Sequence, residues 1–167
     1  MRKICLVLCC VLLLQILCSC ADKNEEFENP VNFYYINKEI SYNSPSGVIY
    51  AEKREGAGFH GNLTAFLHAY LQGPSDTELQ TLIPSDVYLV SCSMEDNEAS
   101  ILFSTRFSKL SGVKLSTACT ALLLTIHEYT GAETVKISAK DAKLDDEDVI
   151  VLSMDDIILM DSTSMNE

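Results

Sequence analysis

Apolar and polar positions along the 167-residue chain fall into three kinds of block. The first is continuous: Ile4 to Cys20 holds 17 residues with one Gln among them. The second repeats every two residues. "VNFYYINKEI" (31–40) is rich in β-branched and aromatic residues and predicts a strand. The turn cluster "YNSPSG" (42–47) separates it from a weaker strand, "VIYAEKRE" (48–55). A strand at 87–94 places Tyr88, Val90, Cys92 and Met94 on one face, and "ASILFST" (99–105) does the same with Ala99, Ile101 and Phe103. Asp96-Asn97 between them tolerates the positive φ angles of a tight hairpin. "ETVKISAK" (133–140) alternates again, and "DVIVLSM" (148–154) with "DDIILM" (155–160) predicts a short terminal strand.

The third kind has the helical period. Leu63, Phe66, Leu67, Tyr70 and Leu71 form one stripe, with Asn62 as its cap and Gly73-Pro74 as its stop. "LSTACTALLLTIHEYTG" (115–131) predicts a second helix. Cys119, Leu122, Leu123 and Ile126 face its core, Ser116 or Thr117 starts it and Gly131 ends it. The order β-β-α-β-β-α-β predicts an α+β fold, a small mixed β-sheet with two helices packed on one face. Its other face is left partly free for a neighbour.

The continuous block is short for a membrane span, which needs about 20 apolar residues. Arg2 and Lys3 precede it, the layout of an export signal. Leu17-Cys18-Ser19-Cys20 fits a lipobox: an aliphatic residue, two small ones, then the cysteine whose thiolate takes a diacylglyceryl thioether. The expected organisation is a signal peptide over 1–19, lipid on Cys20, a flexible tether over 20–30, one domain over 31–161 and a frayed tail over 162–167. An uncleaved anchor, or an ordinary signal cut nearby, is the competing reading.

That reading changes the composition. Of seven cysteines, four leave with the signal and Cys20 carries lipid, so Cys92 and Cys119 remain. They are free buried thiols or a strand-to-helix bridge, and the first reading is preferred because no spacing brings them into reach. Loss of Arg2 and Lys3 leaves ten basic residues against 24 acidic ones, a net charge of −14. So acidic a chain is not expected to bind nucleic acid or anionic headgroups through its general field. The acyl chains must supply the membrane attachment.

Catalytic chemistry finds little footing. His60, His68 and His127 show no HExxH spacing, there is no GxSxG or CxxC, and no cofactor or metal is expected. "KLDDEDV" (143–149) is dense in carboxylates but lacks the Gly and final Glu of a calcium loop, so a solvated loop is expected.

Four segments in order resemble the GerM (GerMN) domain, the sporulation and spore germination family. "AYLQGPSDTE" resembles its leucine helix closed by Gly-Pro-Ser/Thr, and Ile83-Pro84 follows. "LVSCSMEDNEASILFSTRF" resembles its Val-Ser strand, acidic turn and alternating strand, through Val90, Ser91, Glu95, Asp96, Ala99, Ile101, Phe103, Ser104 and Phe107. "LLLTIHEYTGAETVKI" resembles the helix with Thr125, its terminal Gly131, and the strand through Val135 and Ile137. Asn97 and Asp141 stand where the family often has Gly. The resemblance implies a domain similar to ring-building motifs, one that packs against partners or copies of itself and carries no catalytic residues. The function expected is a lipid-anchored, extracytoplasmic interaction module with an envelope protein partner or self-association. The alternative is a small-ligand or cation-binding lipoprotein.

Overall fold

A computed structural model describes residues 27–39 and 47–157. The export segment, Cys20, the start of the tether, most of the 42–47 turn and the tail from 158 onward lie outside the described residues. β1 (Pro30–Asn37) and β2 (Ile49–Glu55) pair antiparallel from Pro30↔Glu55 to Ile36↔Ile49. β3 (Leu79–Gln80) joins the other edge of β1 at Ile36 and Asn37 alone. α1 (Leu63–Leu71) lies between β2 and β3 in sequence. A second sheet has the order β4-β5-β6-β7. β4 (Leu89–Glu95) and β5 (Glu98–Phe103) form the expected hairpin. β6 (Thr134–Ala139) runs parallel to β5, and β7 (Ile150–Ser153) runs antiparallel to β6. A parallel neighbour requires a crossover, which α2 (Gly112–Thr130) provides.

The α+β class stands as the sequence predicts, but the strands divide over two sheets where a single one is expected. The cause lies at the edge of β1. Its backbone at Tyr34 finds side chains there, not another strand. The Tyr34 N–H donates to Thr125 Oγ1 of α2 (2.9 Å), and the Tyr34 carbonyl accepts from the Tyr70 hydroxyl of α1 (3.1 Å). Thr125 is fully buried and passes its own proton to the Ala121 carbonyl (2.7 Å), so its hydroxyl is satisfied as donor and acceptor.

Aromatic side chains fill the space behind that edge. Phe33 stacks on Phe66 (ring centroids 4.6 Å apart), and Tyr35 lies parallel to Tyr70 (5.0 Å). Such pairs add about 0.5–1.5 kcal/mol each beyond the area they bury. The Tyr35 hydroxyl donates to the Tyr70 carbonyl (2.9 Å), tying α1 to β1 a second time. Arg54 of β2 lies over the Phe33 ring (4.8 Å) and pairs with Glu52 (2.6 Å). It also donates to the Gly73 carbonyl (2.7 Å), while Glu52 accepts from the Ser75 N–H (3.0 Å). The Gly-Pro-Ser stop of α1 is thus gripped by two charged residues of β2.

Several local expectations are corrected. α2 begins at Gly112, three residues before Leu115. The Ser116 and Thr117 hydroxyls bond back to the Gly112 and Val113 carbonyls as residues inside the helix, and neither caps it. The Gly112 N–H instead donates to Asp145 (2.6 Å), a residue distant in sequence. Gly131 does end the helix, at φ 75°, with its N–H on the His127 carbonyl. In β4 the pairing jumps from Leu89↔Phe103 to Ser91↔Leu102, leaving Val90 in a bulge. The bulge turns Leu89 inward while Tyr88 and Val90 stay exposed, so the four residues expected on one face do not share it. At the hairpin turn, Asp96 carries the positive φ (51°). Pro30 opens β1, and the residues before it are fastened by Glu55, which accepts from the N–H groups of Glu28 and Asn29. Met154–Asp156 form a short 3-10 turn after β7.

Two predictions follow from this packing. Thr125→Val keeps the shape but leaves the Tyr34 N–H unpaired, and is expected to lower unfolding free energy by about 1–3 kcal/mol. Thr125→Ser restores the hydroxyl and should recover most of the loss in urea melts. The second concerns pH. Burial pushes the Cys119 thiol up from 9.0 to about 12, and burial also raises the Tyr35 and Tyr70 hydroxyls. These groups hold their protons more tightly in the folded state. Their contribution is whole below the unfolded values and is lost as pH rises through the folded ones. Stability should therefore fall between about pH 9 and 12, and Cys119→Ala should flatten part of that slope.

Candidate interaction surface

The second sheet has one buried face and one open face, set by the two-residue alternation of its strands. Ala99, Ile101, Phe103, Val135 and Ile137 point into the core with α1 and α2. The opposite face presents rows that the strand register fixes: Ser91, Leu102 and Ser138 in one, then Ser93, Ser100, Lys136 and Val151 in the next. All of these are exposed or half-buried. A shallow depression of about 240 Å³ opens among them, bordered by Val149. Four serines, Leu102 and Lys136 line it, and Lys136 forms an ion pair with Glu98 (2.7 Å) at its margin. Such an exposed pair contributes little to stability.

Small hydroxyls and three aliphatic side chains, Leu102, Val149 and Val151, make up most of this shallow face. The serine hydroxyls offer neutral hydrogen-bonding groups, and Lys136 among them is paired with Glu98. The face continues to β7, where Val151, and Val149 just before the strand, are 54% and 44% exposed. Elsewhere on the surface, the Asp86 carboxyl sits below its ordinary range through a hydrogen bond from Lys109 and the charges of Lys109 and Arg106.

The residues singled out in the sequence fall as follows. Cys20, the expected lipid site, lies outside the described residues. Cys92 and Cys119 are both free. Cys119 is buried in α2 as expected, but Cys92 is only half-buried, facing Thr64 of α1 with its sulfur 3.2 Å from that hydroxyl. His60 and His68 are exposed, and the His127 ring is tied by Nδ1 to the Ala132 carbonyl (2.9 Å). The acidic run is only partly a solvated loop. Leu144 is fully buried, and Asp145 holds the start of α2. No helix among the described residues is long and apolar enough to cross a membrane. The serine face itself was missed by motif reasoning. Its only sequence signal is the alternation of Ser91, Ser93, Ser100 and Ser138 with core positions.

The comparisons with known proteins agree on the fold. The model of the family described as Germane, sporulation and spore germination, matches residues 32–145. The tandem GerMN domains of the sporulation protein GerM from Bacillus subtilis superpose with a TM-score of 0.56 at 20% identity. That match covers 74% of this chain and 45% of the tandem structure, so the chain spans less than half of it. The first GerMN domain of the same protein matches with a TM-score of 0.53 at 13% identity, over 76% of this chain and 98% of that domain. No curated protein matches.

A charge placed on the open face should be tolerated, while one on the buried face should not. Ser93→Arg is expected to leave the melting temperature within about 2 °C, and Ile101→Arg to abolish cooperative unfolding. Calorimetry of the two variants checks the division of the sheet.

Proposed function

The chain belongs to the sporulation and spore germination (Germane) family, and from that premise we propose that it is a lipid-anchored, extracytoplasmic protein-interaction module without catalytic activity. The observation that supports this reading best is the open serine face of the second sheet. It is shallow and rich in small hydroxyls, with its one lysine paired to Glu98, while the opposite face of the same sheet carries the core. A chain that uses its helices to bury one side of a sheet leaves the other for a partner.

The N-terminal sequence supports the placement. An export segment ending in Leu17-Cys18-Ser19-Cys20 tethers the domain by acyl chains, and a net charge of −14 keeps it off an anionic bilayer. The residues just before β1 are fastened by Glu55, whose carboxyl is held below its ordinary range first by the Ala57 N–H and then by those of Glu28 and Asn29. The tether thus meets the domain at a fixed point on the first sheet.

The reading is tested in two steps. Cys20→Ala should release the protein from the membrane fraction or leave it unprocessed; full processing with unchanged membrane partition would remove the lipid anchor from the account. In-cell crosslinking of the anchored protein should capture a dominant protein partner or a self-oligomer ladder. A clean monomer, together with thermal stabilisation by a small ligand or calcium, would replace the module by a ligand-binding lipoprotein.

A further inference from the structure

We infer that the outer edge of β7 receives an extended segment of a partner protein as an added strand, and that this segment carries basic residues at both its ends. The inference deepens the interaction-module reading and rests on it.

The two edges of the second sheet are built differently. β4, at one edge, is interrupted by the bulge at Val90, a device that spoils the regular spacing another strand needs. β7, at the other, pairs with β6 without interruption from Ile137↔Ile150 to Thr134↔Ser153. The phase of its outward groups follows from one bond. The Met154 N–H donates to the Glu133 carbonyl (3.0 Å), so Met154, Leu152 and Ile150 turn their backbone groups toward β6. Val149, Val151 and Ser153 turn theirs away. The Ser153 N–H is taken by Asp156 Oδ2 (3.2 Å). Among the described residues, nothing hydrogen-bonds the backbone of Val149 or Val151. These two also expose their side chains, on the same face as the serine depression. Unpaired backbone groups with alternate apolar side chains are the template that strand addition uses.

Charge selects the occupant. Glu147 and Asp148 precede the strand, and Asp155 and Asp156 follow it, all exposed. Two cations lie nearby and both are already paired: Lys143, 3.8 Å from Asp148, and Lys136 on β6 opposite Val151, 2.7 Å from Glu98. A second copy of this chain, paired antiparallel edge to edge through Val151, would set Glu147 against Asp155 of its mate twice over. Like charges placed opposite across strands repel. A strand of alternating apolar residues with lysine or arginine at each end meets a carboxylate at each end. The geometry therefore favours a different protein over self-pairing at this edge.

The test uses the full chain in detergent micelles and two synthetic peptides. One is Lys-Lys-Thr-Val-Thr-Val-Thr-Lys-Lys; in the other, glutamates replace the lysines. Fluorescence anisotropy should show the basic peptide binding at least about ten-fold tighter, and hydrogen exchange should show the Val151 amide protected on binding. Val151→Pro removes the outward N–H and leaves the bonds to β6 in place, a position where edge strands tolerate proline. It should weaken binding about ten-fold with little change in melting temperature. If Val151→Pro stays folded and binds as well as the parent, the attraction is charge alone and the added strand is wrong. If the Val151 amide gains no protection while the peptide binds, the same conclusion holds without any variant. If neither peptide binds, β7 is not a docking edge. Crosslinking in cells would then still decide the interaction-module reading separately.

Discussion

The backbone of Tyr34 sets the problem that the rest of the molecule solves. A strand edge in a protein interior must satisfy its N–H and C=O, because a buried unpaired group costs about 1–3 kcal/mol. Most sheets do so with another strand. Here β3 pairs only at Ile36 and Asn37, and at Tyr34 the partners are the hydroxyls of Thr125 and Tyr70. One comes from α2 and the other from α1, so a single residue fixes both helices against the first sheet. Together with the Tyr35 hydroxyl's bond to the Tyr70 carbonyl (2.9 Å), these two bonds set the register of the stacked rings of Phe33, Phe66, Tyr35 and Tyr70.

Once the helices are fixed, the second sheet has no freedom in which face it buries. α2 links β5 to β6 as a crossover, and its apolar side, with Cys119, Leu122, Leu123 and Ile126, already points inward. The alternation of β5 and β6 then sends Ser100, Lys136 and Ser138 outward. The open face is the necessary complement of the core and follows from the same periodicity. Its hydroxyl-rich composition is not a necessity. The chain is strongly acidic, yet carboxylates are kept to the rim of this face, where Glu98 is paired with Lys136.

Much of this was legible in the sequence. The stripe from Leu63 to Leu71, its Asn62 cap and its Gly73 stop are local signals, and the helix follows them to the residue. The hairpin across Asp96-Asn97 and the face of Ala99, Ile101 and Phe103 are equally local. What was not legible depends on partners remote in sequence. The start of α2 is set by Asp145, 33 residues from Gly112, so a search for a capping Ser or Thr at the helix start stops too late. The Val90 bulge cannot be read from alternation, because a bulge is a break in alternation that the partner strand decides. Nor does any periodicity show that β1 will be sealed by hydroxyls; the resemblance marks Thr125 in its helix, but its role shows only when Tyr34 is seen beside it. The serine face was hidden for another reason. Serine in a strand is common and carries no motif, and only the register collects four of them together.

The acidic residues show how one composition serves several ends. Carboxylates in a chain of this charge would be expected to do no more than keep it soluble. Yet several of them have a placement that the backbone uses. Glu52 holds the loop after α1, Glu55 the chain entering β1, Asp145 the first turn of α2, and Asp156 the free N–H of Ser153. In every case an unpaired backbone N–H left by a turn, a strand end or a helix start is met by a carboxylate, the stronger kind of acceptor. Lysines and arginines are few, so carboxylates are the abundant charged groups available for such work. That economy has a consequence for recognition. Carboxylates committed to backbone groups keep part of their charge from solvent, whereas Glu147, Asp148 and Asp155 accept no hydrogen bond from the described backbone and leave theirs exposed beside β7. The electrostatic character of the surface is therefore set less by net charge than by which acids the fold has left unused.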